Sequence, residues 1–165
     1  MRVLIFGVSG FVGSHLARYL EDCEVYGVCR KWNPYSVFVK MGVHEKIAVI
    51  RGNVLDYQFV REVINYCQPD VVIHLAAQSN VRRALADPAT TYRVNVVGTS
   101  NILEACAAHD VDYVVVFSTD KVYGNVVNAK EDAQLTPVEP YAASKICADH
   151  MAQMYFGPLD IAVVR

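Results

Sequence analysis

The stretch "PYAASK", residues 140–145, puts a phenol and an amine four positions apart, at Tyr141 and Lys145. On a helix that spacing brings both side chains to one face, about 6 Å apart along the axis. An ammonium beside a phenol favours the phenolate and lowers a pKa that starts near 10. Such a pair could take a proton from a hydroxyl close to neutrality. A second concentration of reactive groups follows the apolar run "VVVFS": Thr119, Asp120 and Lys121 stand side by side as a hydroxyl, an acid and a base. The competing reading of Asp120 and Lys121 is a surface ion pair or loop cap, which needs no substrate.

A third constellation lies near the N-terminus. "FGVSGFVGSH" spaces Gly7, Gly10 and Gly13 three apart between an apolar run and a helical pattern, with Ser9, Phe11 and Val12 filling the loop. Glycines there permit a tight turn, close approach of backbone N–H groups to an anion, and close packing of helix on strand. A pyrophosphate suits that environment. The spacing G-x-x-G-x-x-G departs from the commoner G-x-G-x-x-G, and glycines serving only turn and packing are the alternative.

These groups need elements to position them. Short Val- and Ile-rich runs alternate with longer segments of helical period, the mark of stacked βαβ units on a parallel sheet. The pattern predicts strands over Val3–Phe6, Val25–Cys29, Ile47–Arg51, Val71–Leu75, Tyr113–Ser118 and Ile161–Val164. Helices are expected over Phe11–Glu21, Tyr57–Cys67, Ala89–Ala108 and Tyr141–Phe156. Asp56 is placed to cap the second helix, whose Val60, Val63, Ile64 and Cys67 share one face. Pro88 suits a first helical turn, Gly157-Pro158 reads as a stop signal, and Gly124–Pro140 reads as a long surface loop. The expected architecture is a three-layer, doubly wound Rossmann-type α/β/α domain spanning residues 1–165.

In that fold the end of the second strand reads the adenosine ribose. An acid there binds the ribose hydroxyls of NAD, whereas a basic residue accommodates the 2′-phosphate of NADP. "VYGVCRKW" has no acid and offers Arg30 and Lys31, favouring NADP over NAD, unless the two are simply a solvated edge. Asn53, followed by Val54 in "RGNVLD", is placed to meet the adenine.

Composition narrows the function classes. The chain has 165 residues, 53% hydrophobic and 19% charged, with a net charge of -2, so it lacks the basic excess that a phosphate backbone demands. No apolar stretch is long enough to span a membrane and the N-terminal run is too short for a signal peptide, which points to the cytoplasm. Five scattered cysteines without C-x-x-C, and five histidines without ligand spacing, offer neither a disulfide framework nor a metal site.

Taken together, "GVSGFVG", "HLAAQ" at 74–78, Asn95, "STDKVYG" and "YAASK" closely resemble the extended branch of the short-chain dehydrogenase/reductase family that acts on nucleotide sugars. The resemblance covers the whole chain in the family's order. It implies that Leu75, Ala76, Ala77 and Gln78 line the nicotinamide half of the cofactor. Tyr141 would be the catalytic base, Lys145 would hold the nicotinamide ribose, and Thr119 would bond the sugar O4. For Asn95, a structural bond at a helix–sheet crossing competes with direct cofactor contact. Arg82 and Arg83 fit a solvated helix start better than a phosphate site.

Asp120-Lys121 and "RKW" most resemble the 4,6-dehydratases of the CDP-glucose and GDP-mannose type. In that chemistry, oxidation at C4 acidifies the C5 proton; Asp120 is assigned as the acid for the departing C6 hydroxyl and Lys121 as the base. A neutral Lys121 requires desolvation. A 4-epimerase would use Tyr141 and Lys145 without the pair at 120 and 121, and a cofactor-binding module without turnover is the reading from another class. The family's sugar-nucleotide lobe lies largely after the sixth strand, so a fragment is expected here, and a homodimer is the family's frequent assembly.

Overall fold

A computed structural model describes every residue except Phe156 and Pro158. Six strands form one parallel sheet: β1 (Arg2–Phe6), β2 (Glu24–Cys29), β3 (Ala48–Arg51), β4 (Val71–His74), β5 (Tyr113–Phe117) and β6 (Asp160–Val164). Their spatial order is β3-β2-β1-β4-β5-β6. In β1 the period-2 alternation sends Val3 and Ile5 into one apolar cluster with Val8, Ala17 and Phe38. Leu4 and Phe6 enter the other, with Val60, Ile64, Ile102 and Val114. A strand covered on both faces needs no polar side, which is why "VLIF" reads as an unbroken apolar run. Each such side chain contributes roughly 2 kcal/mol by leaving water.

The first cluster is closed by α1 (Phe11–Tyr19), α2 (Val37–Lys40) and α3 (Val43–Lys46); the second by α4 (Tyr57–Cys67), α7 (Gly98–Ala108) and α8 (Pro140–Met154). In α4, Val60, Val63, Ile64 and Cys67 are buried, and the Phe59 N–H donates to the Asp56 carboxylate at 3.1 Å, as the cap required. Pro88 opens α6 (Pro88–Tyr92), which follows α5 (Val81–Ala86).

The sequence pattern differs from the structure in several places. The helix expected over Ala89–Ala108 is three pieces: α6, a π-helical segment at Arg93–Val97, and α7. An extra residue in one turn scarcely alters apolar periodicity, so the pattern passes over it. Short α2, α3 and α5, and a 3₁₀ turn at Asp120–Tyr123, also lie in segments without clear period. β4 stops at His74 and β5 at Phe117, one residue earlier than expected, and α1 stops at Tyr19. Between Gly124 and Glu139 the chain forms only turns and bends. The expected helix end at Phe156 and the Pro158 half of the stop signal lie outside the described residues.

Strand order reverses between β1 and β4, where the chain leaves the sheet in opposite directions and opens a crevice at the carboxyl ends of the strands. Gly7 follows β1 there, and the Leu75 N–H, just beyond β4, donates to the Phe6 carbonyl at 2.8 Å. Among the described residues no helix is long and apolar enough to cross a membrane.

Candidate active site

Gly7 has φ +91°, and a Cβ on it would stand 2.7 Å from the Ala76 nitrogen. At Gly13 a Cβ would stand 2.6 Å from the Gly7 carbonyl, so the start of α1 lies directly on the turn. Gly10 is different: it is exposed, and its nearest such contact is 3.3 Å away. It precedes the first helical residue and carries no capping side chain. The N–H groups of Phe11, Val12 and Gly13, in the first turn of α1, therefore have no intrahelical acceptor. Phe11 and Val12 keep their side chains exposed, and the Ser9 hydroxyl reaches the Lys31 carbonyl at 3.5 Å. A helix N-terminus reached through a glycine turn is an environment that favours an anion.

Across the crevice, Leu75, Ala76, Ala77 and Gln78 line the exit of β4, all half-buried. Asn95, 1% exposed within the π-helical segment, ties that exit down. Its carbonyl oxygen accepts from the Gln78 N–H at 2.8 Å and its amide donates to the Gln78 carbonyl at 3.1 Å. The same amide donates to the Ser144 hydroxyl at 2.9 Å, and Ser144 donates to the Tyr141 carbonyl at 2.7 Å. Of the two readings open for Asn95, the structure supports the structural one, because its amide is consumed by protein partners. Ser144 went unremarked in the sequence, where a serine within a helix carries no distinguishing signal. Below them, His74 shares a hydrogen bond with the Thr99 hydroxyl at 2.9 Å, and burial, with Lys145 nearby, holds its imidazole neutral.

Tyr141 and Lys145 project from the first turns of α8, where the Glu139 carboxylate accepts the N–H groups of Tyr141 and Ala142, each at 2.7 Å. Glu139 is a second residue the sequence reading missed; a Glu one place before a Pro is an unusual cap. Both candidate catalytic side chains are buried, Lys145 to 4% exposure. Burial pushes the Tyr141 phenol above its ordinary value; the Thr119 hydroxyl beside it acts downward, and Glu139 and Asp120 add to the rise. The expectation that Lys145 would lower the phenol is thus not met by the protein alone. The amine is itself desolvated, with its pKa lowered to about 8 despite Asp149 nearby. Lys145 makes no hydrogen bond or ion pair to any described residue, so its donors are free for a ligand hydroxyl.

Thr119 opens the 3₁₀ turn, its hydroxyl donating to the Asp120 carboxylate at 3.1 Å and accepting from the Lys121 N–H at 3.4 Å. Asp120 and Lys121 are exposed, and no ion pair joins them among the described residues. The ion pair of the competing reading is thus not formed, whereas the Thr119–Asp120 hydrogen bond is the contact its loop-cap form calls for. The desolvation that a neutral Lys121 requires is not built by this chain.

At the opposite end of the crevice, Arg30 and Lys31 follow β2, both exposed. Arg51, at the end of β3, sets its guanidinium 4.4 Å from the centre of the Trp32 ring. Asn53 is exposed, but its side-chain oxygen and its carbonyl accept the Leu55 and Asp56 N–H groups, leaving its amide and N–H for a ligand. Val54 turns inward: it is 7% exposed, packs under Gly98, and gives its carbonyl to Asn101 at 2.8 Å. Arg82 and Arg83 are exposed at the start of α5.

A sheet of this order, with a glycine turn at its switch point and a Tyr–Lys helix beside it, defines a Rossmann-type domain of the short-chain dehydrogenase/reductase class. A family model described as GDP-mannose 4,6 dehydratase matches residues 4–164, and the chain belongs to that family. It is 32% identical to a dTDP-glucose 4,6-dehydratase of Streptomyces antibioticus, across 100% of this chain and 52% of that protein. A UDP-glucose 4-epimerase of Thermus thermophilus, solved with NAD, superposes with a TM-score of 0.89 at 31% identity, over 100% of this chain and 54% of that one. A dTDP-glucose 4,6-dehydratase of Streptomyces venezuelae, solved with NAD and TYD, gives 0.87 at 29% identity, over 99% of this chain and 54% of that one. The chain spans about half the length of the relatives it matches.

Proposed function

We propose that this chain is the cofactor-binding domain of a nucleotide-sugar 4,6-dehydratase, which converts an NDP-hexose to its 4-keto-6-deoxy product. The observation that carries the reading is the Thr119–Asp120–Lys121 turn, set beside the Tyr141 phenol at the mouth of the crevice. The N–H groups of Phe11, Val12 and Gly13 would hold the diphosphate of a nicotinamide dinucleotide, and Lys145 would donate to its nicotinamide ribose. The chemistry such a group would supply when bound is reversible hydride transfer between the sugar carbons, with no net redox change.

The protein's own groups move the protons. Tyr141 takes the proton of the C4 hydroxyl while Thr119 donates a hydrogen bond to O4. The C4 ketone acidifies the C5 proton, which Lys121 removes once the bound sugar has excluded water from it. Asp120 gives its proton to the C6 hydroxyl, which leaves as water; when hydride enters C6, Lys121 returns its proton to C5, and the proton left on Tyr141 balances the one Asp120 lost, so exchange with solvent resets both. The phenol that burial raises needs a positive neighbour to act as a base near neutrality, and oxidised nicotinamide is cationic.

Arg30 and Lys31 directly after β2, Arg51 at the end of the adjacent β3, and the lack of an acid after β2 support NADP as the cofactor. A 4-epimerase would use the same Tyr141 and Lys145, and a solved relative carries that name. Mass spectrometry of products from several NDP-hexoses separates the two, because dehydration yields a product lighter by one water and epimerisation leaves the mass unchanged. Asp120→Asn is expected to abolish water loss with cofactor affinity within threefold of the wild type. Persistent dehydration would remove Asp120 from its role.

A further inference from the structure

The two halves of the candidate site ride on separate elements, the 3₁₀ turn after β5 and the helix α8, and a side chain outside the site, that of Arg165, bridges them. Asp149 lies on α8 one turn beyond Lys145, on the same face as Tyr141 and Lys145, and is fully buried. Arg165, just past β6, grips its carboxylate with two nitrogens, Nε to Oδ2 at 2.7 Å and Nη2 to Oδ1 at 3.1 Å. The remaining nitrogen, Nη1, donates to the Glu131 carbonyl at 2.9 Å and to the Tyr123 hydroxyl at 3.3 Å. Tyr123 is the last residue of the turn that carries Asp120 and Lys121, and its carbonyl accepts the Thr136 hydroxyl at 2.9 Å. One residue before Arg165, the Val164 carbonyl accepts the Ser118 N–H at 2.6 Å, directly beside Thr119.

We propose that Arg165 is a positioning residue that fixes the Asp120–Tyr123 turn against the α8 face bearing Tyr141 and Lys145. The inference rests on the site reading given above. A guanidinium suits the task because its planar fork holds a carboxylate with two donors and still presents a third in a set direction. An ammonium at the same place could neutralise Asp149 but could not span the helix, the turn and the loop at once. Simple charge compensation for a buried carboxylate would need only the ammonium, so the two roles make different predictions.

The test compares Arg165→Lys, which keeps the charge, with the double variant Arg165→Met/Asp149→Leu, which removes both partners and leaves no orphaned buried charge. Amide hydrogen exchange is followed in residues 118–125 and 140–146 against β1 as internal reference, alongside kcat and the cofactor KM. Both variants are expected to exchange at least tenfold faster in the turn with β1 unchanged. Their kcat is expected to fall at least tenfold while the cofactor KM stays within threefold. Turn exchange and kcat within twofold of the wild type in either variant would overturn the proposal, as would a lowered melting temperature with kcat intact. If the wild type releases water from no hexose, the dehydratase reading fails on its own, and the exchange data still decide whether Arg165 holds the turn.

Discussion

Replacing Lys145 by Met is expected to make this protein more stable while removing its chemistry. The amine is 4% exposed and its pKa falls from the ordinary 10.5 to about 8, chiefly because burial penalises the ammonium. Between those two values the unfolded chain holds a proton that the folded chain has released, so stability rises with pH across that window. Below pH 8 both states are protonated, and the folded state bears the full cost of a desolvated charge. At about 1.4 kcal/mol per pH unit that cost is roughly 3 kcal/mol. Met has a similar unbranched shape and no charge to desolvate, so Lys145→Met recovers most of it at pH 7, a rise in melting temperature of roughly 8 °C for a chain of this size. The assay is thermal unfolding of both proteins, followed by circular dichroism from pH 7 to 11. The gap between them should be widest at or below pH 8 and close as pH approaches 10.5. A variant less stable than the wild type at pH 7, or a gap that does not change with pH, would refute the assignment of Lys145 as a desolvated, unpaired amine. The variant should also lose turnover, because the donors proposed to hold the nicotinamide ribose are gone.

Other perturbations probe the remaining parts of the site. Gly7→Ala adds a Cβ at φ +91° that would meet the Ala76 backbone at 2.7 Å, so it should cost about 3 kcal/mol in urea unfolding and weaken dinucleotide binding at least tenfold. Asn95→Ala strips partners from the Gln78 backbone and the Ser144 hydroxyl, and denaturant titration should show a loss of about 2–4 kcal/mol. Fluorescence of Trp32, the sole tryptophan, should respond to dinucleotide at the adenosine end. By that signal NADP should bind at least tenfold tighter than NAD, and Arg51→Ala should shrink the ratio without changing NAD affinity; equal affinities in the wild type would remove the 2′-phosphate reading.

Several features were legible before any coordinates. Both faces of a central parallel strand are apolar, so β1, β4 and β5 stand out as short Val- and Ile-rich runs, and Gly7 stands out because a backbone at positive φ packed on Ala76 accepts little else. Asp56 and Pro88 mark helix starts through local hydrogen bonding and a fixed φ, which depend only on neighbours in sequence. The spacing of Tyr141 and Lys145 likewise follows from helical period alone.

What tertiary structure decided is the environment of those groups. Whether Tyr141 is raised or lowered depends on the water it loses and on charges brought from Glu139 and Asp120, and the second of these comes from a different element. Asn95 turned out to be a tie between the β4 exit and α8, and Arg165 the holder of a buried carboxylate sixteen residues away; both partnerships join different elements of the fold. Local pattern records the preferences of a residue and its near neighbours along the chain. Desolvation and long-range hydrogen bonds are set by whatever the folded chain carries to the same place, and no periodicity in the sequence encodes that distance.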